Sequence, residues 1–184
     1  AAEGVSVSDV RERSIPLASH DVRPEDIAAV VEVLNSERLS LGPKAEALES
    51  ALAGTVGVQN AVAVNSGTSA LHLLIRAFEI GPGDEVITTP FSFIASTNCI
   101  LFERATPVFV DIEPETLCID PALIERAITP RTKAILAVDV FGHPAELPAI
   151  EEIARAHDLR LIEDSAESLG STLGGRPCGS FGDA

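Results

Sequence analysis

The residues best suited to chemistry stand where short apolar runs end. "AVAV" (61–64) passes into "NSGTS", where Gly67 permits a tight turn and Ser66, Thr68 and Ser69 present hydroxyls at a helix start. Free amides and the positive end of a helix dipole make such a turn an anion site, typically for phosphate, although the same Ser and Thr also serve as plain helix caps. The turn matches neither the G-x-G-x-x-G fingerprint nor the GxxxxGK[ST] loop. "TPFSF" places Phe91 and Phe93 at another strand end in a chain that is only 4% aromatic. A ring there can stack on a flat ligand or pack into the core. "LRLIEDSAESLGS" runs an apolar strand into Glu163 and Asp164, with Glu167 three residues further on. Strand alternation turns one of the two adjacent acids inward. A carboxylate held there near a ring nitrogen would keep that nitrogen protonated, whereas a solvated acid or an N-cap would do neither. Asp139 and His143 follow a further strand in "VDVFGHP", and a lone loop histidine of this kind is commonly structural or solvated. No Ser/His/Asp arrangement can be argued from the sequence.

Helices and strands must alternate to place these residues. "RPEDIAAVVEVLNS" opens with Pro24 and two acids and spaces Ile27, Val30, Val31 and Leu34 as one helical face. A Gly-Pro turn and a second amphipathic helix ending at Gly54 follow, then the strand "AVAV" and a helix over about 69–78. "VITT", "TPVFVDI", "KAILAVDVFG" and "LRLIED" read as strands. Between them lie the helices of "PFSFIASTNCILF", "CIDPALIERAI", capped by Asp120 with Pro121 first, and "ELPAIEEIARAHD". Short apolar strands alternating with helices of about ten residues predict an α/β fold, a mainly parallel sheet with helices on both faces. Ligands collect at the carboxyl ends of the strands in such folds, where all the residues above lie.

The bulk properties exclude several classes. A formal net charge of −15 repels nucleic-acid phosphates and anionic membrane surfaces, so neither is an expected partner. No apolar run approaches the ~18 residues that a membrane span needs. The opening "AAEGVSVSDVRERS" (1–14) has no basic region followed by an apolar block, and reads as a flexible lead-in rather than a signal peptide. Cys99, Cys118 and Cys178 are odd in number and far apart, which argues against a disulfide framework or a zinc site and for buried thiols in a reducing cytoplasm.

Taken in order, the stretches "LSLGPKAEALESALA", "AVAVNSGTSALHLLIRAFEIGPGDEVITTPFSFIAST", "ATPVFVDIEPETLCIDPALIERAITPRTKAILAVDVFGHPAEL" and "LIEDSAESLGSTLGGRPCGSFGDA" resemble the N-terminal half of the large domain of a fold-type I, pyridoxal-phosphate-dependent aminotransferase. More narrowly, they resemble the DegT/DnrJ/EryC1/StrS family of sugar aminotransferases, over nearly everything after about Ile15. The resemblance implies a three-layer α/β/α fold, with 15–184 as a partial cofactor-binding large domain. It also implies that Gly67, Thr68 and Ser69 hold the cofactor phosphate, that Phe93 stacks on the pyridine ring and that Asp164 pairs with the pyridinium nitrogen. Glu163 is then expected to point away, into packing or solvent. Glu167 falls near the phenolic oxygen, at a position where relatives commonly carry Gln or His. Ser40 to Gly42 match a loop that lies near the substrate in relatives, with no contact assigned. The implied reaction moves an amino group, usually from glutamate, to a keto sugar linked to a nucleotide, in a cytoplasmic homodimer.

The chain has two lysines, Lys44 and Lys133, and neither lies at a candidate position. The resemblance places the Schiff-base lysine just beyond Ala184, so the expectation is of a fragment that does not catalyse the full reaction alone and exposes apolar surface. Two other readings stay open: a dehydratase of the same family with His in place of that lysine, and a non-catalytic cofactor-binding or regulatory protein on the same scaffold.

Overall fold

Four short runs rich in β-branched and aliphatic residues pair side by side in the computed structural model, which describes residues 19–40 and 42–184. They are β1 (Glu85–Thr88), β2 (Thr106–Phe109), β3 (Thr132–Val138) and β4 (Arg160–Asp164). All pair in parallel, in the order β2-β1-β3-β4. β1 is buried throughout, and β3 everywhere except at Lys133, as expected of strands covered on both faces. β2 is an edge strand and stays partly exposed.

The connections fix the layers. Helix α4 (Ala95–Phe102) carries the chain from β1 outward to β2, whereas α5 (Pro121–Ala127) and α6 (Leu147–Ala156) carry it back the other way, to β3 and then β4. Right-handed crossovers running in opposite directions put their helices on opposite faces. Accordingly α4 packs on β1 and β2 beside α3 (Gly67–Ala77), while α5 packs with α6, which lies on β3 and β4. The result is the three-layer arrangement read from the sequence. On α6, Leu147, Ile150 and Ala154 are the buried positions, at helical spacing. Each large aliphatic residue so buried contributes about 1.5–3 kcal/mol. Direction reverses between β1 and β3, so the crevice beyond their carboxyl ends is a topological switch point.

The chain divides into two compact units, up to Pro43 and from Lys44 onward. In the first, α1 (Pro24–Leu34) starts at its proline, and the Asp26 carboxylate accepts the Arg23 N–H at 2.9 Å. Its apolar stripe, Ile27, Val30, Val31 and Leu34, is exposed. The predicted lead-in 1–14 and Leu41 of the Ser40–Gly42 loop lie outside the described residues. Helix α2 (Pro43–Val56) runs through Gly54, where the sequence suggested an end. It stops at Gly57, whose φ of 78° provides the left-handed turn that closes a helix.

Two local differences from the sequence reading have simple causes. The run 61–64 is not a strand, because a strand exists only as part of a ladder and this run pairs with no neighbour among the described residues. Its Ala63 N–H donates instead to Glu49 at 2.8 Å, and Val62 is 79% exposed. Conversely, the sequence reading assigned no element after Glu167, yet β5 (Thr172–Leu173) and β6 (Arg176–Pro177) form a small antiparallel hairpin. Gly174 and Gly175 make its two-residue turn with φ of 60° and 84°, the conformation that such tight hairpins demand. Asp183 and Ala184 then run along the open edge of β4, with the Asp183 N–H donating to Leu161 at 2.8 Å and the Glu163 N–H to Ala184 at 2.9 Å. Among the described residues no helix is long and apolar enough to cross a membrane.

Candidate functional site

The turns that follow β1, β3 and β4 meet at the switch point and enclose a cleft of about 370 Å³. After β1, the Thr89 hydroxyl accepts the Phe91 N–H at 3.2 Å and turns the chain, so that Phe91 and Phe93 are partly or largely exposed before α4 begins. After β3, Phe141 takes a left-handed φ of 54° and sets its ring edge-on to Phe91, with centroids 6.0 Å apart. β4 ends on Asp164, and Ala166 and Glu167 follow it. Phe91, Ser92, Phe93, Phe141, Asp164 and Glu167 all line the cleft.

Asp164 is the half-buried acid of this cleft. Its Oδ2 accepts the Ser96 hydroxyl at 3.0 Å, and its Oδ1 accepts the Ala166 N–H at 3.3 Å. Burial pushes its carboxyl above the usual range, the Ser96 and Ala166 hydrogen bonds pull the other way, and the nearby Asp139 and Glu167 charges add to the rise. None of the residues lining the cleft is basic. The carboxylate is thus desolvated and pressed by like charges, a state that a cationic ligand group would relieve. That is the property required of an acid facing a protonated ring nitrogen.

Glu163 occupies the opposite side of the strand. It is buried rather than solvated, accepts the Gly179 N–H at 2.6 Å and the Phe181 N–H at 2.8 Å, and has the Ser165 hydroxyl oxygen 3.2 Å away. Burial raises its carboxyl. Asp139, fully buried, accepts the Ala145 N–H at 2.9 Å and the hydroxyls of Ser165 and Ser168 at 3.0 and 2.9 Å. Asp139, Glu163 and Cys178 bring their ligand atoms within 4.8 Å of one another, a grouping that sequence spacing does not reveal. Both acids are used to tie the 165–168 turn and the 178–181 segment to the sheet. His143 is exposed, has its ring nitrogen on the Pro144 carbonyl at 2.9 Å, and does not line the cleft.

Glu167 reaches across the cleft wall, and its carboxylate accepts the Phe141 N–H at 2.7 Å. The "NSGTS" turn lies at the start of α3. Ser66 is the N-cap, with its hydroxyl oxygen accepting the Ser69 N–H at 3.1 Å and the Oγ atoms of Ser66 and Ser69 3.0 Å apart. Capping is therefore realised, but by Ser66. The amides of Gly67 and Thr68 precede the first intrahelical donor, Ala70, whose N–H goes to the Ser66 carbonyl, so no helical carbonyl can accept them. The structure thus brings Phe93, Asp164 and Glu167 into one cleft. Gly67, Thr68 and Ser69 do not line it; they stand at the head of α3, the helix packed beside the one that starts after Phe93.

Sequence reasoning missed Ser92, Ser96 and Phe141. The two serines were legible as hydroxyls four residues apart flanking Phe93, the spacing that brings side chains together at a helix start. Phe141 carried no signal, because its place depends on a left-handed turn after a buried strand.

Known proteins resemble this chain in sequence and fold. The sequence model of the DegT/DnrJ/EryC1/StrS aminotransferase family matches residues 20–184. A UDP-N-acetyl-3-dehydro-alpha-D-glucosamine 3-aminotransferase from Acidithiobacillus ferrooxidans is 44% identical over 97% of this chain and 47% of its own length. The aminotransferase PseC of Helicobacter pylori, involved in pseudoaminic acid biosynthesis, is 38% identical and superposes with a TM-score of 0.84 over 88% of this chain and 44% of its own. NtdA from Bacillus subtilis, solved with bound cofactor PMP, is 38% identical, with a TM-score of 0.77 over 82% of this chain and 35% of its own. The chain spans about half the length of the curated relatives it matches.

Proposed function

We propose, since this chain belongs to the DegT/DnrJ/EryC1/StrS aminotransferase family, that its cleft is the pyridoxal-phosphate half-site of an enzyme that transfers an amino group to a keto sugar nucleotide. The observation that carries the reading is Asp164: a desolvated carboxylate at a strand end, aimed into an aromatic-walled cleft and held by a buried hydroxyl. When bound, the cofactor supplies an electron sink that its protonated ring nitrogen strengthens.

The chain's own residues divide the remaining work. Asp164 holds the ring nitrogen's proton by pairing with it. Phe93 covers a ring face and, with Phe91 and Phe141, excludes water from the cleft. The Gly67 and Thr68 amides and the Thr68 and Ser69 hydroxyls hold the phosphate at the positive end of α3. Glu167 is committed to the Phe141 N–H, so its part near the phenolic oxygen is to keep that wall of the cleft in place. Among the described residues no lysine lines the cleft. In this reading residues 15–184 are part of the cofactor-binding domain, glutamate is the amino donor, and the whole protein is a cytoplasmic homodimer.

The test is amino transfer by the full-length protein. With glutamate and a nucleotide-linked keto sugar, 2-oxoglutarate and the amino sugar should form in equal amounts, and Asp164→Ala should abolish cofactor retention. Consumption of the sugar without amine incorporation would move the protein to dehydration. Absence of cofactor binding would overturn the reading.

A further inference from the structure

We propose that Ser92 and Ser96 form a two-hydroxyl relay that fixes the Asp164 carboxylate for a cationic ring nitrogen, which makes Ser96 a positioning residue of the site. The inference rests on the reading above that Asp164 faces the cofactor ring.

Ser96 is fully buried in the first turn of α4, and its hydroxyl donates to Asp164 Oδ2 at 3.0 Å. That bond uses the one proton the hydroxyl has, so its 2.7 Å contact with Ser92 runs the other way, with Ser92 donating to Ser96. The direction of the chain is therefore set: Ser92 to Ser96 to Asp164. Ser92 lines the cleft, so the relay starts at the ligand's wall and ends at the acid. Linked hydrogen bonds polarise one another, and Ser96 is a better donor for being an acceptor as well.

Geometry makes the relay consequential. The Ala166 N–H holds Oδ1 while Ser96 holds Oδ2, which sets the plane of the carboxylate. The charged groups around Asp164 are the acids Asp139 and Glu167, both of which oppose its ionisation. With no basic residue in the cleft, the hydroxyl relay and one amide are what this chain offers to keep Asp164 charged before a cation arrives. Without Ser96, the acid would take up a proton or turn, and its grip on a ring-nitrogen proton would weaken.

The experiment loads the full-length protein with pyridoxamine phosphate labelled with nitrogen-15 in the ring and follows the ring-nitrogen resonance against pH. In Ser96→Ala the titration midpoint should fall by about one pH unit, with cofactor Kd raised about tenfold, the equivalent of one lost charge-assisted hydrogen bond. Ser96→Thr, which keeps the hydroxyl, should restore both. Ser92→Ala should move the midpoint in the same direction by less, and it carries the test alone if Ser96→Ala does not fold. A purely structural role would leave the midpoint unmoved. Cofactor binding with the parent midpoint in both alanine variants overturns the relay while leaving the proposed function intact. A parent protein that does not bind the cofactor overturns both.

Discussion

The Glu167 carboxylate accepts the Phe141 backbone N–H at 2.7 Å across 26 residues of sequence, and Phe141 holds a left-handed φ of 54°. A bulky residue pays for that conformation in steric strain, which persists only where surrounding contacts over-determine it. Three contacts do so here. Glu167 takes the amide, the Phe91 ring meets the Phe141 ring edge-on, and the Ser171 hydroxyl donates to the neighbouring Gly142 carbonyl at 2.9 Å. Gly142 is itself left-handed, at 84°, and a Cβ there would meet the Glu167 carbonyl at 3.3 Å. The acid that looked out of place in the sequence is thus the clamp on one wall of the cleft.

Removing that clamp should loosen the wall before it unfolds the protein. Glu167→Ala is expected to cost about 0.5–1.5 kcal/mol, the net range for a hydrogen bond that solvent can partly replace. Amide exchange at Phe141 should accelerate accordingly, while amides of β3 and β4 stay protected. Glu167→Gln keeps an acceptor and should recover most of the loss. Equal exchange at Phe141 in the parent and Glu167→Ala would show that the ring contacts alone hold the turn.

Asp164 allows a sharper substitution than alanine. Asn at this position is nearly isosteric and can still accept the Ser96 hydroxyl, but it carries no charge to pair with a ring nitrogen. Asp164→Asn gives up the Ala166 N–H bond to the second oxygen but also removes a desolvated carboxylate, so it should fold with stability within about 1 kcal/mol of the parent's, yet lose cofactor affinity by about tenfold or more, as expected of a lost charge-assisted pair. Thermal melts and a cofactor titration on the same preparation check this. Parent-like affinity in the Asn variant would remove the pairing role from Asp164.

The α/β class, the parallel sheet and the strand-end location of the site were legible because buried parallel strands read as apolar runs and helices as 3.6-residue periodicity. Phe93, Asp164 and Glu167 could be picked out for the same reason: they end or follow strands. What one-dimensional pattern could not show was pairing. The run 61–64 is more apolar than β1 but has no ladder among the described residues. Glu163 and Asp164 look alike until burial separates them, one tied to the Gly179 and Phe181 amides and the other to Ser96. Ser96 lies 68 positions from the acid it serves.

Thr88 offers a stability test within the core. It is fully buried at the end of β1, and its hydroxyl has no hydrogen-bond partner among the described residues. A buried unsatisfied hydroxyl costs about 1–3 kcal/mol. Thr88→Val keeps the branched shape and removes the polar atom, so the midpoint of urea unfolding should rise by an amount equivalent to about 1 kcal/mol or more. A lower midpoint would mean that the hydroxyl is satisfied in solution.

The three cysteines should be chemically silent in the folded protein. Burial pushes the Cys99 thiol up to about 12 and the Cys178 thiol up to about 11, and raises Cys118 as well. Since the thiolate is the nucleophile, at pH 8 the reactive fraction of Cys99 is about one in ten thousand. Iodoacetamide should leave the native protein unmodified over a period in which the denatured chain takes up three labels, as read by intact mass. Rapid labelling of any one site in the native protein would contradict its burial.

The pH dependence of folding should carry the signature of Glu163. Its carboxyl is raised in the folded state from an ordinary value of 4.5, mainly by burial. A carboxyl raised on folding favours the native state while protonated. Its contribution is fully present below about pH 4.5 and is lost as pH rises through the folded value. Glu85 works in the opposite sense: hydrogen bonds from Thr129 and then Arg131 lower its carboxyl, so its contribution is present above 4.5 and lost as pH falls. The two are separated by comparing the parent with Glu163→Gln across pH 4 to 8. The amide matches the protonated carboxyl that the parent carries at low pH, one good acceptor facing the Gly179 and Phe181 amides, so the two should differ little there. As pH rises the variant should gain on the parent, because only the parent has a buried group to ionise. A difference in unfolding free energy that stays constant across the range would show that Glu163 titrates as an ordinary carboxyl.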